Sequence, residues 1–223
     1  MDKLISYSCV GGVATLTMDD GKANAISPAM CSALNTDIDR AVSEAKVLVI
    51  RGRDDLFCGG FDLKIIRGDD EVLRNIMRDA GMALLKKIYL LPCPVIFAVT
   101  GHAVAMGALL ILTGDMRIGL SGEFRVGLSE TRIGLPLPVT GLEIARDRLN
   151  SNFFQRATIN AEMFSPEDAL AAGYLDEVVG KTDFDDLVVK ASESLCDLDV
   201  DAFAETKRRV RQPILNRIAS LEA

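Results

Sequence analysis

The sequence predicts an α/β fold, and three observations carry that reading. Val47–Ile50 and Val95–Val99 are short, fully apolar runs bounded by charge or by proline and turn residues. That is the pattern of strands buried on both faces of a parallel sheet. Between them lie segments whose apolar residues recur every three to four positions, the period of a helix packed on one face. Strands and helices then alternate as β–α–β–α–β, which a layered α/β domain requires.

Met1–Met18 alternates apolar and polar residues around Gly11-Gly12 and predicts a β-hairpin. Pro28–Ala45 reads as a helix entered after Ser27, with Met30, Leu34, Ile38 and Val42 four apart. Val47–Ile50 is the first buried strand. Phe57–Phe61 is a glycine turn into Asp62–Ile66, Arg67–Glu71 a charged mobile loop, and a helix runs on through Leu91, where Pro92-Cys93-Pro94 stops it. Val95–Val99 is a second strand, and Thr100-Gly101 turns into a helix over Ala103–Thr113. Met116–Leu120 is a third strand, and Val126–Pro138 a loop region. Helices follow at Thr140–Leu149, Ser151–Thr158 and Pro166–Ala172, then a strand at Glu177–Val179 and a helical end. No internal repeat or linker divides the chain. The reading is an α/β core over residues 1–182 and a helical C-terminal segment over 183–223.

Composition removes several function classes. The chain has 223 residues, 49% of them hydrophobic, and 32 Asp+Glu against 25 Lys+Arg give a net charge of −7. Nucleic acid and anionic lipid call for a basic excess, so neither is an expected partner. The apolar runs Ile88–Val99 and Ala103–Leu112 are too short to span a bilayer. The N-terminal residues lack the apolar stretch of a signal peptide, which points to a cytoplasmic protein. The five cysteines are scattered and never spaced Cys-x-x-Cys, so they read as small buried residues. With one histidine, His102, no His-rich metal site is expected, and acid–base chemistry falls to carboxylates.

Glycine stands between a buried strand and a helix twice, in Cys58-Gly59-Gly60-Phe61-Asp62-Leu63 and in Gly101–Ala108. Helix starts offer backbone N–H groups without intrahelical partners, so two such turns side by side could hold one oxygen as an oxyanion hole. Strand-to-helix turns also need glycine for purely structural reasons, and spacing leaves both readings open. Neither turn fits a dinucleotide or phosphate-loop motif. Glu130 lies in the Gly- and Pro-punctuated segment Val126–Pro136. Apolar flanks there would desolvate its carboxylate and raise its basicity, although on spacing alone a surface turn with Glu130 paired to Arg132 is the better fit.

Phe57–Leu63, Gly101–Asp115 and Gly127–Pro136, with Lys22–Ser27 upstream, together resemble the crotonase superfamily (enoyl-CoA hydratase/isomerase) from about Gly12 to Val179. The resemblance implies a crotonase-like spiral of ββα units with a helical C-terminal segment used for a homotrimer or a dimer of trimers. It implies an acyl-CoA thioester as ligand, with coenzyme A part of the substrate and no separate cofactor. It implies that the backbone N–H groups of Phe61 and Met106 hold the thioester oxygen. Lys22, Ala23, Gly60, Asp62, Leu63 and Lys64 match segments lining the CoA moiety, and Leu109 and Leu135 would shape the acyl pocket.

Hydratases of this superfamily use two glutamates. The first of those positions is Leu109 here, and the second is Glu130. Adding water calls for both groups, whereas moving a double bond needs one base. The Gly-Leu-Ser-Glu-Thr segment is similar to that of Δ3,Δ2-enoyl-CoA isomerases, so the expected activity is isomerisation of a 3-enoyl-CoA by Glu130. Three rivals stand beside it. One is a hydratase drawing its second carboxylate from Glu143 or the Arg67–Glu71 loop. Another is a non-catalytic acyl-CoA binder. The last is a Clp-type serine peptidase, set aside because Ala105 occupies the nucleophile position.

Overall fold

The computed structural model describes residues 3–223; the first two residues of the expected hairpin lie outside them. Strands β1 (Ile5–Val10) and β2 (Val13–Met18) form the hairpin around Gly11-Gly12. Helix α1 (Pro28–Glu44) follows, its Ser27 side chain capping the Met30 N–H. Then come β3 (Val47–Arg51), β4 (Asp55–Cys58), α2 (Leu63–Arg67) and α3 (Glu71–Tyr89). Next are β5 (Val95–Val99), β6 (Gly101–Val104), α4 (Met106–Leu112), β7 (Met116–Leu120) and β8 (Val126–Gly127). A 3-10 turn at Glu130–Ile133 leads to α5 (Val139–Arg148), α6 (Ser151–Thr158), α7 (Pro166–Ala172), β9 (Glu177–Val179), α8 (Lys181–Cys196) and α9 (Val200–Glu222).

The strands form two sheets. The large one runs β1-β2-β3-β5-β7-β9, parallel except for the opening hairpin, and the small one is the parallel ladder β4-β6-β8. Each strand pair β3–β4, β5–β6 and β7–β8 gives one strand to each sheet, and a helical element follows each pair. The chain therefore winds as a spiral of ββα units. Alternation along each central strand divides the core. Leu48, Ile50, Val95, Phe97 and Val99 face the main cluster with α1, α3 and α4. Val47, Val49, Ile96, Ala98 and Ile118 face Phe184, Val188 and Ala191 of α8 on the other side. Both faces of the sheet are thus covered, which is why its middle strands read as unbroken apolar runs.

The small sheet is where the sequence reading falls short. Residues 55–58 and 101–104 are strands, not a turn and a helix start, and residues 126–127 are a strand inside the expected loop. Two to four residues are too few to show a period. The corner between β5 and β6 is held by Thr100, whose hydroxyl donates to the Arg53 carbonyl (2.7 Å). Gly101 meets β4 so closely that a Cβ there would lie 2.1 Å from the Asp55 carbonyl carbon. The charged loop shrinks to Gly68–Asp70, because Arg67 ends α2 and Glu71 opens α3 under an Asp70 cap.

Helix α9 returns to the core through a buried ionic cluster. Lys207 Nζ meets Asp115 Oδ2 at 2.6 Å, and Arg211 Nη2 meets Oδ1 at 2.9 Å. The cations are 4% and 6% exposed. Arg211 also donates to the carbonyls of Tyr89, Thr113 and Gly114, and Asp115 accepts the Val95 N–H. Among the described residues, no helix is long and apolar enough to cross a membrane. No group of three or more His, Cys, Asp or Glu among them could hold a metal ion.

Removing one partner from such a cluster strands the buried charges that remain. Asp115→Asn is expected to lower unfolding stability by about 3–5 kcal/mol, measured by urea denaturation. Glu205→Gln, on the exposed flank of the same helix, is expected to leave the midpoint almost unchanged.

Candidate active site

The small ladder gathers three loop starts at one edge. After β4 the chain passes Gly59 and Gly60 to Phe61. After β6 it passes Ala105 into α4 at Met106. After β8 it passes Leu128 and Ser129 to Glu130. Ala105 N–H donates to the Gly127 carbonyl (2.9 Å), linking the second loop to the third. The segment Ala23–Ile26 braces the first: Gly59 N–H donates to Ala23 O (2.9 Å), Ile26 N–H to Gly60 O (2.8 Å) and Asp62 N–H to Ile26 O (3.3 Å). Asn24 anchors that segment, with its fully buried amide donating to the carbonyls of Met18 and Phe57.

The amides of Phe61 and Met106 are neighbouring donors. Met106 opens α4 and so has no intrahelical acceptor. Among the described residues no carbonyl accepts from either amide. Gly60, at φ +100°, packs so tightly that a Cβ would lie 3.6 Å from Met106 N and 3.1 Å from the Val104 carbonyl oxygen. Ala105 holds φ 52° and ψ −120° to turn the chain into α4. A non-glycine residue in that region is strained, and such strain concentrates at functional sites. Helix α3 presses on the same place, where a Cβ on Gly81 would lie 2.6 Å from the Phe61 ring.

Glu130 opens the 3-10 turn, which is pinned from outside by Arg132 Nε donating to Ala161 O (2.6 Å) and Thr131 Oγ1 to Ile159 O (3.3 Å). The alternative of a surface turn with Glu130 paired to Arg132 is therefore wrong: Arg132 turns to a carbonyl, and Glu130 is only 9% exposed. Its Oε2 is buried with no hydrogen-bond partner among the described residues. Burial pushes the carboxyl from its ordinary 4.5 up to about 7, against a weaker downward pull from the N–H groups of Glu130 and Ser129.

This carboxyl opens on a cavity of about 360 Å³. Four residues singled out from the sequence line it: Phe61, Leu109, Glu130 and Leu135. Ile66, Arg74, Arg78 and Pro136–Pro138 complete it; of these the sequence offers Leu137 as a pocket residue, while Ile66, Arg74 and Arg78 carry no such mark because α3 and the proline loop meet only in three dimensions. Met106 is fully buried and is not part of the lining. Gly60 is buried behind the Phe61 amide. Lys22, Ala23, Leu63 and Lys64 are exposed on the outer side of the same turn, and Asp62 caps α2 by accepting the Lys64 N–H (2.9 Å). None of these six lines the cavity.

Other candidates lie elsewhere. Glu143 is buried but held by Arg146 (3.4 Å) and Arg217 (2.9 Å). His102 accepts the Arg125 N–H on Nδ1 (3.0 Å) and meets Phe124 edge to face. Cys58 is buried, its thiol pushed up to about 12 by desolvation. A further buried group, Tyr174, sits near enough to Glu130 for that charge to raise its hydroxyl pKa, although desolvation is the larger cause. The sequence carries no signal for that proximity.

Comparison with known proteins adds the following. A family model described as Enoyl-CoA hydratase/isomerase matches residues 9–221. A probable enoyl-CoA hydratase of Rhodobacter capsulatus is 32% identical over 183 residues, covering 81% of this chain and 70% of that protein. The chain spans only 46% and 56% of two further curated hydratases, from Bacillus subtilis and Thermus thermophilus. Among solved structures, an enoyl-CoA hydratase/isomerase family protein of Pseudomonas syringae superimposes with a TM-score of 0.94 at 40% identity, covering 97% of this chain and 94% of that one. An enoyl-CoA isomerase of Mycobacterium tuberculosis gives 0.92 at 38% identity, covering 99% and 96%.

The buried carboxyl has a consequence for stability. A group whose folded pKa is raised above its unfolded value favours the folded state at low pH, and that contribution is lost as pH rises toward the folded pKa. Glu130→Gln removes the ionisation. The variant is expected to match the wild type near pH 4 and to gain on it between pH 4.5 and 7. The gain levels off at about 3 kcal/mol by pH 8, read from denaturation curves across that range.

Proposed function

The chain belongs to the enoyl-CoA hydratase/isomerase family, and within that family we propose that it is an isomerase moving the double bond of a 3-enoyl-CoA to position 2. The observation that carries this reading is that Glu130 is, among the described residues, the only carboxylate lining the cavity. Its partner-free Oε2 suits a base, and the two unengaged amides suit the thioester oxygen.

The steps use only these groups. The thioester oxygen accepts the N–H groups of Phe61 and Met106. Ionised Glu130 takes a proton from C2; the C2–H electron pair moves toward the carbonyl, and the two amides stabilise the negative oxygen of the dienolate. The electrons return as a C2=C3 bond forms, the C3=C4 bond opens, and C4 takes the proton back from Glu130. Nothing is gained or lost beyond the shift. Burial makes the carboxylate more basic than a solvated one, and each amide aimed at the developing charge typically contributes about 3–4 kcal/mol.

The hydratase names among the relatives favour a second reading, addition of water to a 2-enoyl-CoA. That chemistry calls for a second carboxylate to hold the water. Leu109 fills one candidate position with hydrocarbon, Glu143 is engaged by two arginines, and Asp70 is committed to capping α3. Neither Glu143 nor any acid of the Arg67–Glu71 segment lines the cavity. The M. tuberculosis protein is called an isomerase in one structure and a probable hydratase in another, so its names favour neither reading.

The test is turnover of 3-hexenoyl-CoA beside hydration of crotonyl-CoA. Isomerisation is expected to exceed hydration by about 10²-fold or more, and Glu130→Gln to lose about 10²–10⁴-fold of it. Wild-type kcat/KM for isomerisation should rise with pH through about 7 as Glu130 ionises and then level off. Efficient hydration, or near wild-type isomerisation by Glu130→Gln, would overturn the assignment.

A further inference from the structure

Arg74 and Arg78 stand one turn apart on α3, and both help to line the cavity into which Glu130 opens. The rest of that lining, Glu130 excepted, is apolar: leucines, prolines, Phe61 and Ile66. Nη1 of Arg74 donates to the carbonyls of Ile66 (3.1 Å) and Gly68 (3.2 Å), which fixes the guanidinium at the α2–α3 corner. Among the described residues no carboxylate pairs with it. Arg78 donates to Asn75 Oδ1 (3.0 Å) and approaches Asp79 only at 3.9 Å, with its side chain 57% exposed.

Their order along α3 gives them a place relative to the substrate. Gly81 abuts the Phe61 ring. With a rise of 1.5 Å per residue, Arg78 lies about 4–5 Å and Arg74 about 10 Å along the helix axis from that contact. An acyl chain held at the Phe61 amide and running beside α3 brings its far end, not its reacting carbons, to the two guanidiniums. A plain hydrocarbon tail would set two cations against apolar surface and remove part of their hydration without compensation. A carboxylate at that end accepts charge-assisted, fork-matched hydrogen bonds instead.

We propose that the cavity selects an acyl-CoA whose acyl chain ends in a second carboxylate, with Arg74 and Arg78 as its specificity-determining residues. The substrate is then the monothioester of an unsaturated dicarboxylic acid, and the double-bond shift proceeds as for a neutral chain. The assignment rests on reading this cavity as the acyl site. The phosphates of CoA are the other anions of the same ligand, so the experiment separates them.

Calorimetric titration of the whole chain with adipoyl-CoA, hexanoyl-CoA and free CoA needs no turnover. Adipoyl-CoA is expected to bind about tenfold or more tightly than hexanoyl-CoA. In the Arg74→Gln/Arg78→Gln double variant that difference is expected to vanish while free CoA binds as before. Equal affinities of the two thioesters for the wild type overturn the proposal, whatever the variant does. An equal loss for all three ligands in the variant also overturns it, because it assigns the arginines to the phosphates. A preference for adipoyl-CoA that persists in the double variant overturns the proposal as well. A wild-type preference that the double variant loses, with no isomerisation of either 3-hexenoyl-CoA or 3-hexenedioyl-CoA, sinks the isomerase reading and leaves the carboxylate assignment standing.

Discussion

Everything at the site hangs on the ladder β4-β6-β8, three parallel strands of four, four and two residues. Alone, so few hydrogen bonds would not order a sheet. Here each strand continues directly from a strand of the large sheet, whose middle strands are buried on both faces. The large sheet fixes where the small one begins, and the small one fixes where its three exits point. One exit carries the Phe61 amide, the next the Met106 amide and the third Glu130, with the Ala105–Gly127 hydrogen bond joining the last two. Backbone rigidity thus positions the donors, and only the carboxyl depends on a side chain. The Met106 side chain is fully buried and outside the cavity lining, so its bulk does not fill that space.

The carboxyl shows what such a site costs the fold. An ionised oxygen buried without a partner lowers stability as pH rises, and nothing else in the chain needs Glu130 to be acidic. The surrounding structure supplies the excess. The Asp115–Lys207–Arg211 cluster ties the C-terminal helix to the ends of α3 and α4, and the segment Ala23–Ile26 straps the Gly59-Gly60 turn from outside. Among the described residues Arg53 Nε, Arg148 Nε and the Tyr174 hydroxyl are also buried without a partner, but of these four groups only Glu130 lines the cavity.

Much of the fold was legible because long elements carry their period openly. Helix α1 with its Ser27 cap, the buried runs β3 and β5, and α7 between Pro166 and Gly173 lie within a residue or two of where their patterns put them. The small-sheet strands were not, because a two- or four-residue strand beside a glycine looks like a turn. For the site, Glu130 stood out by its apolar, Gly- and Pro-punctuated flanks, the resemblance to a known superfamily brought Phe61, Leu109 and Leu135 forward, and these four do line one cavity. Arg74, Arg78 and Tyr174 were invisible: each reads as an ordinary residue of its helix or turn, and only the packing of α3 puts the arginines in the cavity wall, as the packing of the β9 approach puts Tyr174 near Glu130. The exposed residues Lys22, Ala23, Leu63 and Lys64 lie outside the cavity, on the outer side of the amide turn, where the strap from Ala23 to Gly59 runs.

The claim that a single carboxylate both removes and returns the proton is tested most directly by an isotope label. With 3-hexenoyl-CoA dideuterated at C2 and turned over in ordinary water, a lone base in a desolvated cavity carries part of the deuterium to C4 of the product, detectable by mass spectrometry or NMR. A product formed at a normal rate with solvent hydrogen alone at C4 would mean that a second group or bulk water delivers that proton, and would contradict the account.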